Sequence, residues 1–210
     1  MMELQDKKEK RAQGQGSRKK PRRVRTAAEI AREKDYIVAA QGGDMEAFEA
    51  LVKEYEKRVF WVAFNLVNNV EDARDIAQDA FLRVFKAIGR FDLKYNFYTW
   101  LYRIVVNLAI DFLRRKGKQA KVSLDDFPTD PAESAKGPED VMRNVEMGEK
   151  ITAVLDSMPE KYKTVILLRD VHEMSCEAIA EVIGCTNATT RWRLHKAREI
   201  FREKWDRVVV

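Results

Sequence analysis

The sequence predicts an all-α fold with two small helical domains joined by a flexible acidic linker. Apolar residues recur at the three- and four-residue spacing of amphipathic helices along most of the chain, and only 9 glycines and 5 prolines interrupt them. Three of those prolines and Gly137 lie within residues 117–140, which divides the helical patterns into two groups. A length of 210 residues is enough for two such domains.

Residues 1–28 form a basic N-terminal tail. Its first 25 residues carry ten basic and three acidic side chains, so this segment contributes +7 to a chain whose net charge is +5. Because the tail has almost no apolar residues, it is predicted to be disordered. It either binds phosphates nonspecifically or serves as a solubilising extension, and the sequence leaves both interpretations open.

The first domain, residues 29–117, is predicted to contain four helices. Capping residues, glycines and an Asn-Asn pair mark the helix ends. The helices are expected over residues 26–41, 44–67, 70–88 and 97–117. Short connections between them indicate one compact helical domain.

The third predicted helix presents an exposed leucine on its polar side. Leu82 lies opposite the apolar stripe, where its own domain has no core to cover it. A single exposed leucine is common, but polar neighbours make this one resemble the anchor of a helix-docking patch. These neighbours are Asp75, Gln78, Asp79 and Arg83.

Residues 91–116 begin as a loop rich in aromatic side chains and continue as a helix. At 100° per residue, the helix has one apolar face, formed by Leu101, Ile104, Val105, Leu108 and Phe112. The nearly opposite face carries Trp100, Arg103, Asn107 and Arg114. Such a mixture suits single-stranded nucleic acid, since bases stack on aromatic rings and cations follow phosphates. A solvated face with a half-buried tryptophan is the alternative.

The second domain, residues 141–210, follows the acidic linker of residues 118–140. It is predicted to begin with a helix over residues 141–156, followed by an S-x-x-E capping box at residues 157–160. A short helix capped by Ser175 and ended by Gly184 then precedes a longer basic helix over about residues 188–205. This is the helix-turn-helix pattern.

The last helix has the composition of a DNA-reading helix. Its inward residues are Thr190, Leu194, Ala197 and Phe201, and its outward residues are Arg191, Trp192, His195, Lys196 and Glu199. The outward side chains can reach base edges and phosphates. An ordinary amphipathic helix with a charged solvent face is the alternative, but the turn and the basic N-terminal half favour DNA binding.

Three blocks resemble motifs of the extracytoplasmic-function (ECF) sigma factors, the small branch of the bacterial sigma-70 family. Residues 72–82, DARDIAQDAFL, are similar to the family's D-A-x-D-x-x-Q-[ED]-x-F-L segment. Residues 97–107, FYTWLYRIVVN, are similar to F-x-x-W-L-x-R-I-x-x-N. Residues 158–160, 175–183 and 191–198 resemble the C-terminal L-P-E…S-x-x-E-I-A…K-S-R-L-H-R-A-R block. The blocks occur in the family's order.

The resemblance implies a transcription initiation factor that binds core RNA polymerase and opens promoter DNA under the control of an anti-sigma factor. The partners would be the β′ clamp helices, the polymerase β subunit and the promoter, with the acidic linker in the RNA exit channel. The residues implied for β′ binding are Asp75, Gln78, Asp79, Leu82 and Arg83. Those implied for binding and melting the −10 element are Arg90, Phe91, Tyr95, Asn96, Phe97, Trp100, Arg103 and Asn107. Those implied for the −35 duplex are Thr189, Arg191, Trp192, Arg193, His195, Lys196 and Arg198.

Two residues of the C-terminal block depart from the family pattern. Ala188 stands where the family usually has glycine, and Trp192 where it has serine. Because an indole cannot donate and accept as a hydroxyl does, the −35 preference is expected to be unusual.

Other functional classes explain less of the chain. An enzyme is not expected, because there is no H-E-x-x-H motif, phosphate-binding glycine loop or plausible triad. No cofactor or metal is expected, although a thiol–imidazole site of His172, Cys176 and Cys185 is conceivable. His172 is instead expected at a helix C-terminus, where positive charge is favourable.

Two alternatives keep only part of the predicted function. A helix-turn-helix regulator that works without polymerase would leave the loop aromatics and the Leu82 patch unused. A polymerase adaptor without DNA contacts would leave the last helix unused. With 2 cysteines and no apolar run of about 18 residues, the chain is expected to be cytoplasmic.

Overall fold

The structure, a computed structural model, describes the backbone of residues 26–120 and 138–209 and the side chains of residues 26–116 and 146–208. These residues form eight α-helices. They are α1 (Ala27–Gln41), α2 (Met45–Val67), α3 (Val70–Ala87), α4 (Phe97–Ala120), α5 (Pro138–Asp156), α6 (Glu160–Ile166), α7 (Cys176–Ile183) and α8 (Asn187–Val209). A 3-10 turn (Ile88–Arg90) follows α3, and a π-helical segment (Leu167–Val171) continues α6. The all-α prediction is confirmed.

Polar caps begin the helices of the first domain where the sequence predicted them. Thr26 and Glu29 form a reciprocal capping box on α1. The Asp44 carboxylate caps α2 by accepting from the amides of Glu46 and Ala47 at 2.9 and 3.1 Å. Asn69 caps α3, and Asn68 ends α2 with the left-handed φ of 53° that Asn tolerates well. Each side-chain cap stabilises its helix by about 1 kcal/mol.

The core of the first domain lies among α1, α2, α3 and α4. Tyr55 of α2 and Leu101 and Val105 of α4 are completely buried there. The predicted apolar stripe of α4 is thus confirmed. Tyr102, Val106 and Ala109 are also buried, and their 4- and 3-residue spacing gives α4 a second buried face. This face was not predicted.

The second domain contains the predicted helix-turn-helix. The Ser175 hydroxyl caps α7 by accepting from the Ala178 amide at 3.1 Å. Gly184 ends α7 with φ of +67°, a conformation that favours glycine. The Thr186 hydroxyl then accepts from the Thr189 amide at 3.1 Å at the start of α8.

The predicted capping box at residues 157–160 is wrong. The Ser157 hydroxyl donates to the Val154 carbonyl at 2.7 Å, so it closes the end of α5 instead of opening α6. Pro159 precedes α6 without a side-chain cap.

The helices extend slightly beyond the predicted domain limits. The first helix starts at Ala27, α4 continues to Ala120 and α5 starts at Pro138. The segment predicted as a linker therefore includes helical residues at both ends. Residues 1–25 of the tail and residues 121–137 of the linker lie outside the described residues.

The two domains contact each other. Helix α4 of the first domain packs against α7 of the second, and α2 contacts the π-helical segment. One cluster of buried apolar side chains continues from Leu101 and Val105 to Leu168, Met174 and Ile179. The sequence analysis predicted two separate domains. In the structure, the two domains share one hydrophobic core.

Candidate nucleic-acid and protein interfaces

Trp100 rests on two buried phenylalanines at the start of α4. Its ring centroid lies 4.9 Å from that of Phe91 and 5.7 Å from that of Phe97. Phe91 and Phe97 are 8% and 3% exposed, so the structure places them in the core, and their direct contact with a DNA strand stays a prediction. They fill the core at this corner of the domain and support the partly exposed indole above them.

The loop before α4 is held by a residue that the sequence did not single out. The Gln41 side-chain amide donates to the carbonyls of Ile88 and Phe91 at 3.0 and 2.7 Å. Asn96 is also engaged, since its side-chain oxygen accepts from the Thr99 amide at 3.3 Å. No sequence signal distinguishes Gln41, because a polar residue before Gly42-Gly43 looks like a solvated helix end.

The remaining predicted −10 residues form one surface, which we call the strand strip: Arg90, Tyr95, Trp100, Arg103 and Asn107. Tyr95 is 69% exposed in the loop, and Arg90, Arg103 and Asn107 are exposed as well. The three- and four-residue steps from Trp100 to Arg103 and Asn107 place these side chains along one face of α4. The strip combines two aromatic rings, two guanidiniums and an amide, the groups that bind unpaired bases and their phosphates.

The predicted −35 residues lie on the first turns of α8. Trp192 is 60% exposed, and Arg191 and His195 are exposed beside it. Thr189, Arg193 and Lys196 are partly exposed. The buried partners Thr190, Leu194 and Ala197 fix the helix against the domain core, as predicted. The outward face is therefore available to a DNA groove.

Glu177 of α7 orients this reading face. Its carboxylate accepts from the Asn187 side-chain amide at 2.7 Å and lies 3.6 Å from the Arg191 guanidinium. The pKa of Glu177 is lowered, first by a hydrogen bond with its own backbone and then by those with Asn187 and Ser175. The sequence analysis did not assign Glu177 to the site, although it lies inside the block that carries the resemblance.

Arg198 has a structural contact in place of a free guanidinium. It binds the Asp170 carboxylate through two hydrogen bonds of 2.6 and 3.1 Å, which tie α8 to the π-helical segment. The Arg198 side chain is nevertheless 50% exposed, so the expectation that it contacts DNA stays a prediction. Lys196 pairs with Glu199 at 3.1 Å through a single contact, and a surface pair of this kind can exchange for a phosphate.

The predicted docking residues share the outer face of α3. Leu82 is 50% exposed, and Asp75, Gln78, Asp79 and Arg83 are exposed around it. Beside them, a groove of about 720 Å³ runs between α2 and α3, which we call the α2–α3 groove. Gln78 and Leu82 line this groove together with Met45, Phe48, Val52, Phe60, Trp61, Phe81 and Phe85.

Sequence reasoning missed most of the α2–α3 groove. Trp61 and Phe85 are 47% and 46% exposed. Their positions outside the core stripes of α2 and α3 are a signal that could have revealed them. An exposed patch that contains several aromatic side chains is typical of a protein-binding surface.

A second apolar groove of about 430 Å³ lies in the second domain. It is formed by α5, the π-helical segment and the C-terminal half of α8, and it was not predicted. The apolar lining residues include Ile151, Leu155, Val171, Phe201 and Trp205.

His172 is neutral, contrary to the expectation of a favourable positive charge. Burial lowers its pKa to about 4, and its Nε2 lies 3.1 Å from the Asn65 side-chain amide nitrogen. Cys176 and Cys185 are free thiols. Among the described residues, no three His, Cys, Asp or Glu side chains are placed to hold a metal ion together.

A helix that crosses a bilayer must be both long and apolar. Within the described ranges, no helix combines the length and apolar character that crossing a bilayer needs.

Comparison with protein families gives two matches. Residues 51–119 match the model of sigma-70 region 2, and residues 148–200 match that of sigma-70 region 4. The first match covers α3, α4 and most of α2, and the second covers the helix-turn-helix.

Comparison with curated proteins gives relatives of nearly the same length. The chain is 33% identical to the ECF RNA polymerase sigma factor SigW of Bacillus subtilis over 81% of this chain and 95% of that protein. It is 33% identical to RNA polymerase sigma-H factor of Pseudomonas aeruginosa, over 78% and 88% of the two chains. It is also 33% identical to the ECF RNA polymerase sigma-E factor of Escherichia coli strain K12, over 80% and 91%.

Two solved structures share the fold at low sequence identity. CnrH, solved in complex with the cytosolic domain of CnrY, superposes with a TM-score of 0.63 at 20% identity, over 83% of this chain and 97% of that one. The sigma factor RpoE of Bartonella quintana, solved with the anti-sigma factor NepR, gives a TM-score of 0.62 at 20% identity, over 77% and 98%. With the family matches and the relatives, these findings show that the chain belongs to the ECF branch of the sigma-70 family and is a transcription initiation factor.

Proposed function

We propose that this sigma factor attaches to core RNA polymerase through α3 and the α2–α3 groove, opens the −10 element with the strand strip and reads the −35 element with α8. The observation that carries the proposal is the placement of Trp100, Arg103 and Asn107. They form a row on the outward face of α4, in which Arg103 and Asn107 are exposed and Trp100 is partly exposed. A solvated face with a half-buried tryptophan would have the same geometry at Trp100, and the match of residues 51–119 to sigma-70 region 2 favours strand binding over it.

The strand strip supplies the interactions that melting requires. Extruding a base costs a few kcal/mol, and stacking on an aromatic side chain returns about 1–3 kcal/mol per base. Trp100 and Tyr95 offer rings for this, while Arg90 and Arg103 neutralise phosphates. The rigid support beneath Trp100 means that little ordering is needed when a base arrives.

Helix α8 would read the −35 element as a duplex. Its N-terminal turns project Arg191 and His195 toward the major groove, with Lys196 near the phosphates. Trp192 gives an apolar contact at a position where the family has a hydroxyl. A thymine methyl group is the base feature that such a ring can contact.

The α3 patch and the α2–α3 groove would hold the β′ clamp helices of the polymerase. An apolar anchor ringed by polar groups is the usual energetic centre of a protein interface, and Leu82 with its polar neighbours has this form. A contact with the β subunit would use the apolar groove of the second domain. Control by an anti-sigma factor is supported by RpoE and its complex with NepR.

This role requires no chemical reaction catalysed by the sigma factor itself. We place the sigma factor in the cytoplasm, where polymerase and promoter meet. The test is run-off transcription with purified core polymerase and a promoter library. Transcripts that depend on adding the factor are expected. Binding to DNA without any polymerase-dependent transcript would overturn the proposal in favour of a helix-turn-helix regulator that acts alone.

A further inference from the structure

The outward face of α8 carries two apolar residues one helical turn apart, Ala188 and Trp192. Both are exposed, and Trp192 keeps 60% of its surface open to solvent. Residues four positions apart lie one above the other on the same side of an α-helix. The two side chains therefore form one short ridge, which extends about 6 Å along the helix axis and which we call the apolar pair.

The core of the second domain does not account for the apolar pair. The residues of α8 that face the core are Thr190, Leu194 and Ala197, and all three are buried. Ala188 and Trp192 lie on the opposite side of the helix. They are also the two positions at which the C-terminal block departs from the family pattern of glycine and serine. The ridge is therefore a surface feature of this chain.

Tyr162 of α6 supports the larger member of the pair. Its ring centroid lies 6.3 Å from that of Trp192, with the two ring planes tilted by 55°. Tyr162 is only 9% exposed and belongs to a buried cluster with Met158 and Ala197. An indole that leans on a fixed ring has fewer orientations than a free surface tryptophan. Less conformational entropy is therefore lost when Trp192 makes a contact.

Cationic side chains surround the apolar pair. Arg191 is exposed next to Trp192, and Lys196 is partly exposed one turn further along α8. On α6, the Lys161 ammonium lies 4.9 Å from the Tyr162 ring centroid. An apolar ridge between cations is complementary to a polyanion that displays apolar groups. Duplex DNA has this chemistry, since the methyl groups of thymines stand in the major groove between two rows of phosphates.

We propose that the apolar pair makes −35 recognition depend on the C5 methyl groups of pyrimidines on neighbouring base pairs, with Tyr162 as the positioning residue of Trp192. The inference rests on the proposed function, because α8 must enter the major groove. Ala188 has no polar side-chain atom, and the indole offers a single N–H donor. Selection at these base pairs therefore comes from apolar contact with the methyl group. In unmodified DNA this group identifies thymine.

The test changes single methyl groups of the DNA and leaves the protein intact. Polymerase holoenzyme with the full-length factor first selects promoters from a library randomised across the −35 region. Each selected thymine is then replaced by deoxyuridine, which lacks only the methyl group, and affinity is measured by fluorescence anisotropy. At the contacted positions uracil should weaken binding roughly fourfold, which corresponds to about 0.8 kcal/mol for one buried methyl-sized group. Uracil in place of thymines outside the promoter elements is the control.

A second change of the DNA separates the methyl group from the rest of the base. A G·C pair in place of the contacted A·T pair should weaken binding. Methylation of its cytosine at C5 should then recover part of the loss, because the methyl group returns to the same place in the groove while the hydrogen-bonding edge stays that of cytosine.

Protein variants assign the effect to the apolar pair. Trp192→Ser should bind thymine and uracil promoters equally at the position that the indole contacts, and Ala188→Gly should do so at the neighbouring one. Tyr162→Leu should lower the ratio of thymine to uracil affinity, whereas Tyr162→Phe keeps the ring and should keep the ratio. The matched control is Val208→Ser, which removes an exposed apolar side chain (43%) at the far end of the same helix.

Equal affinity of the wild type for thymine and uracil at every −35 position would overturn the inference, as would a ratio that Trp192→Ser leaves unchanged. If Tyr162→Leu does not fold, as judged by circular dichroism, these two comparisons decide the inference without it. A library that shows no enrichment in the −35 region would overturn the proposed reading by α8, and the inference with it. Enrichment without discrimination between thymine and uracil would remove only the inference.

Discussion

The first domain has two interaction surfaces of different chemistry. The surface toward the second domain is covered by apolar packing and by the hydrogen bonds of the buried Lys163 ammonium. The α2–α3 groove, in contrast, is lined by aromatic and aliphatic side chains and has no cover among the described residues. The contrast teaches that the second domain covers one surface of the first, through polar contacts beside a shared apolar core, whereas the described residues leave the α2–α3 groove uncovered.

The largest expected effect is on the uncovered surface. Leu82→Asp places a charge at the centre of the α3 patch. Loss of an interface anchor costs 2 kcal/mol or more, so affinity for core polymerase should fall by roughly thirtyfold or more. The matched control is Val38→Asp on α1, where a similarly exposed apolar residue (52%) lies away from the groove. Unchanged affinity of Leu82→Asp in a fluorescence binding assay would remove the docking role of this patch.

The second-largest expected effect is on promoter opening by the strand strip, whose side chains are exposed or partly exposed. Trp100→Ala with Asn107→Ala removes a stacking ring and an amide. At about 1–3 kcal/mol for each stacked base, open complexes should form roughly five- to a hundred-and-fiftyfold less. Polymerase affinity should remain near that of the wild type. Lys53→Ala, which removes an exposed ion pair with Glu49 on α2, serves as the control.

A parallel loss of polymerase affinity in the double variant would show that the strip is misplaced. It would indicate that Trp100 and Asn107 support the docking surface instead of the DNA strand.

The smallest expected effect is on the covered surface. The pKa of His172 is about 4 in the folded protein, against 6.5 for an unperturbed histidine. The unfolded chain therefore binds a proton that the folded one excludes. The stabilisation by the neutral ring is complete above about pH 6.5 and is lost as pH falls toward 4. Between pH 7 and 5 the free energy of unfolding should decrease by roughly 1–2 kcal/mol from this group.

Urea unfolding of the wild type and of His172→Gln measures this contribution. Carboxylates titrate in both proteins, so the difference between the two pH profiles isolates the histidine. Parallel profiles would mean that His172 is solvated in the folded protein and is not buried against the first domain.

The helical pattern and the outward residues could be predicted from the sequence, because they depend on local periodicity. The stripe of Leu101, Val105 and Leu108 and the exposed position of Leu82 are confirmed. Caps such as Thr26, Asp44 and Ser175 were predicted for the same reason, since their hydrogen bonds span at most three residues.

Features that depend on distant contacts could not be predicted. Lys163 has the character of a surface residue in sequence, and only the end of α2, 97 positions away, explains its burial. Tyr102 and Val106 form a second apolar face on α4. This face could be recognised as buried only after the structure had placed α7 against it. The family resemblance implied a DNA role for Phe91 and Phe97, and only their distant packing partners reveal that these buried rings support Trp100.

The central claim is that the exposed face of α4 separates promoter strands only after polymerase has been bound. Permanganate reactivity of thymines in the −10 region tests it most directly, with factor, core polymerase and promoter mixed in all combinations. Reactive thymines are expected only when all three are present, and they should be strongly reduced with Trp100→Ala and Asn107→Ala. Full reactivity with the double variant, or none with the wild type on a promoter that it transcribes, would contradict the account.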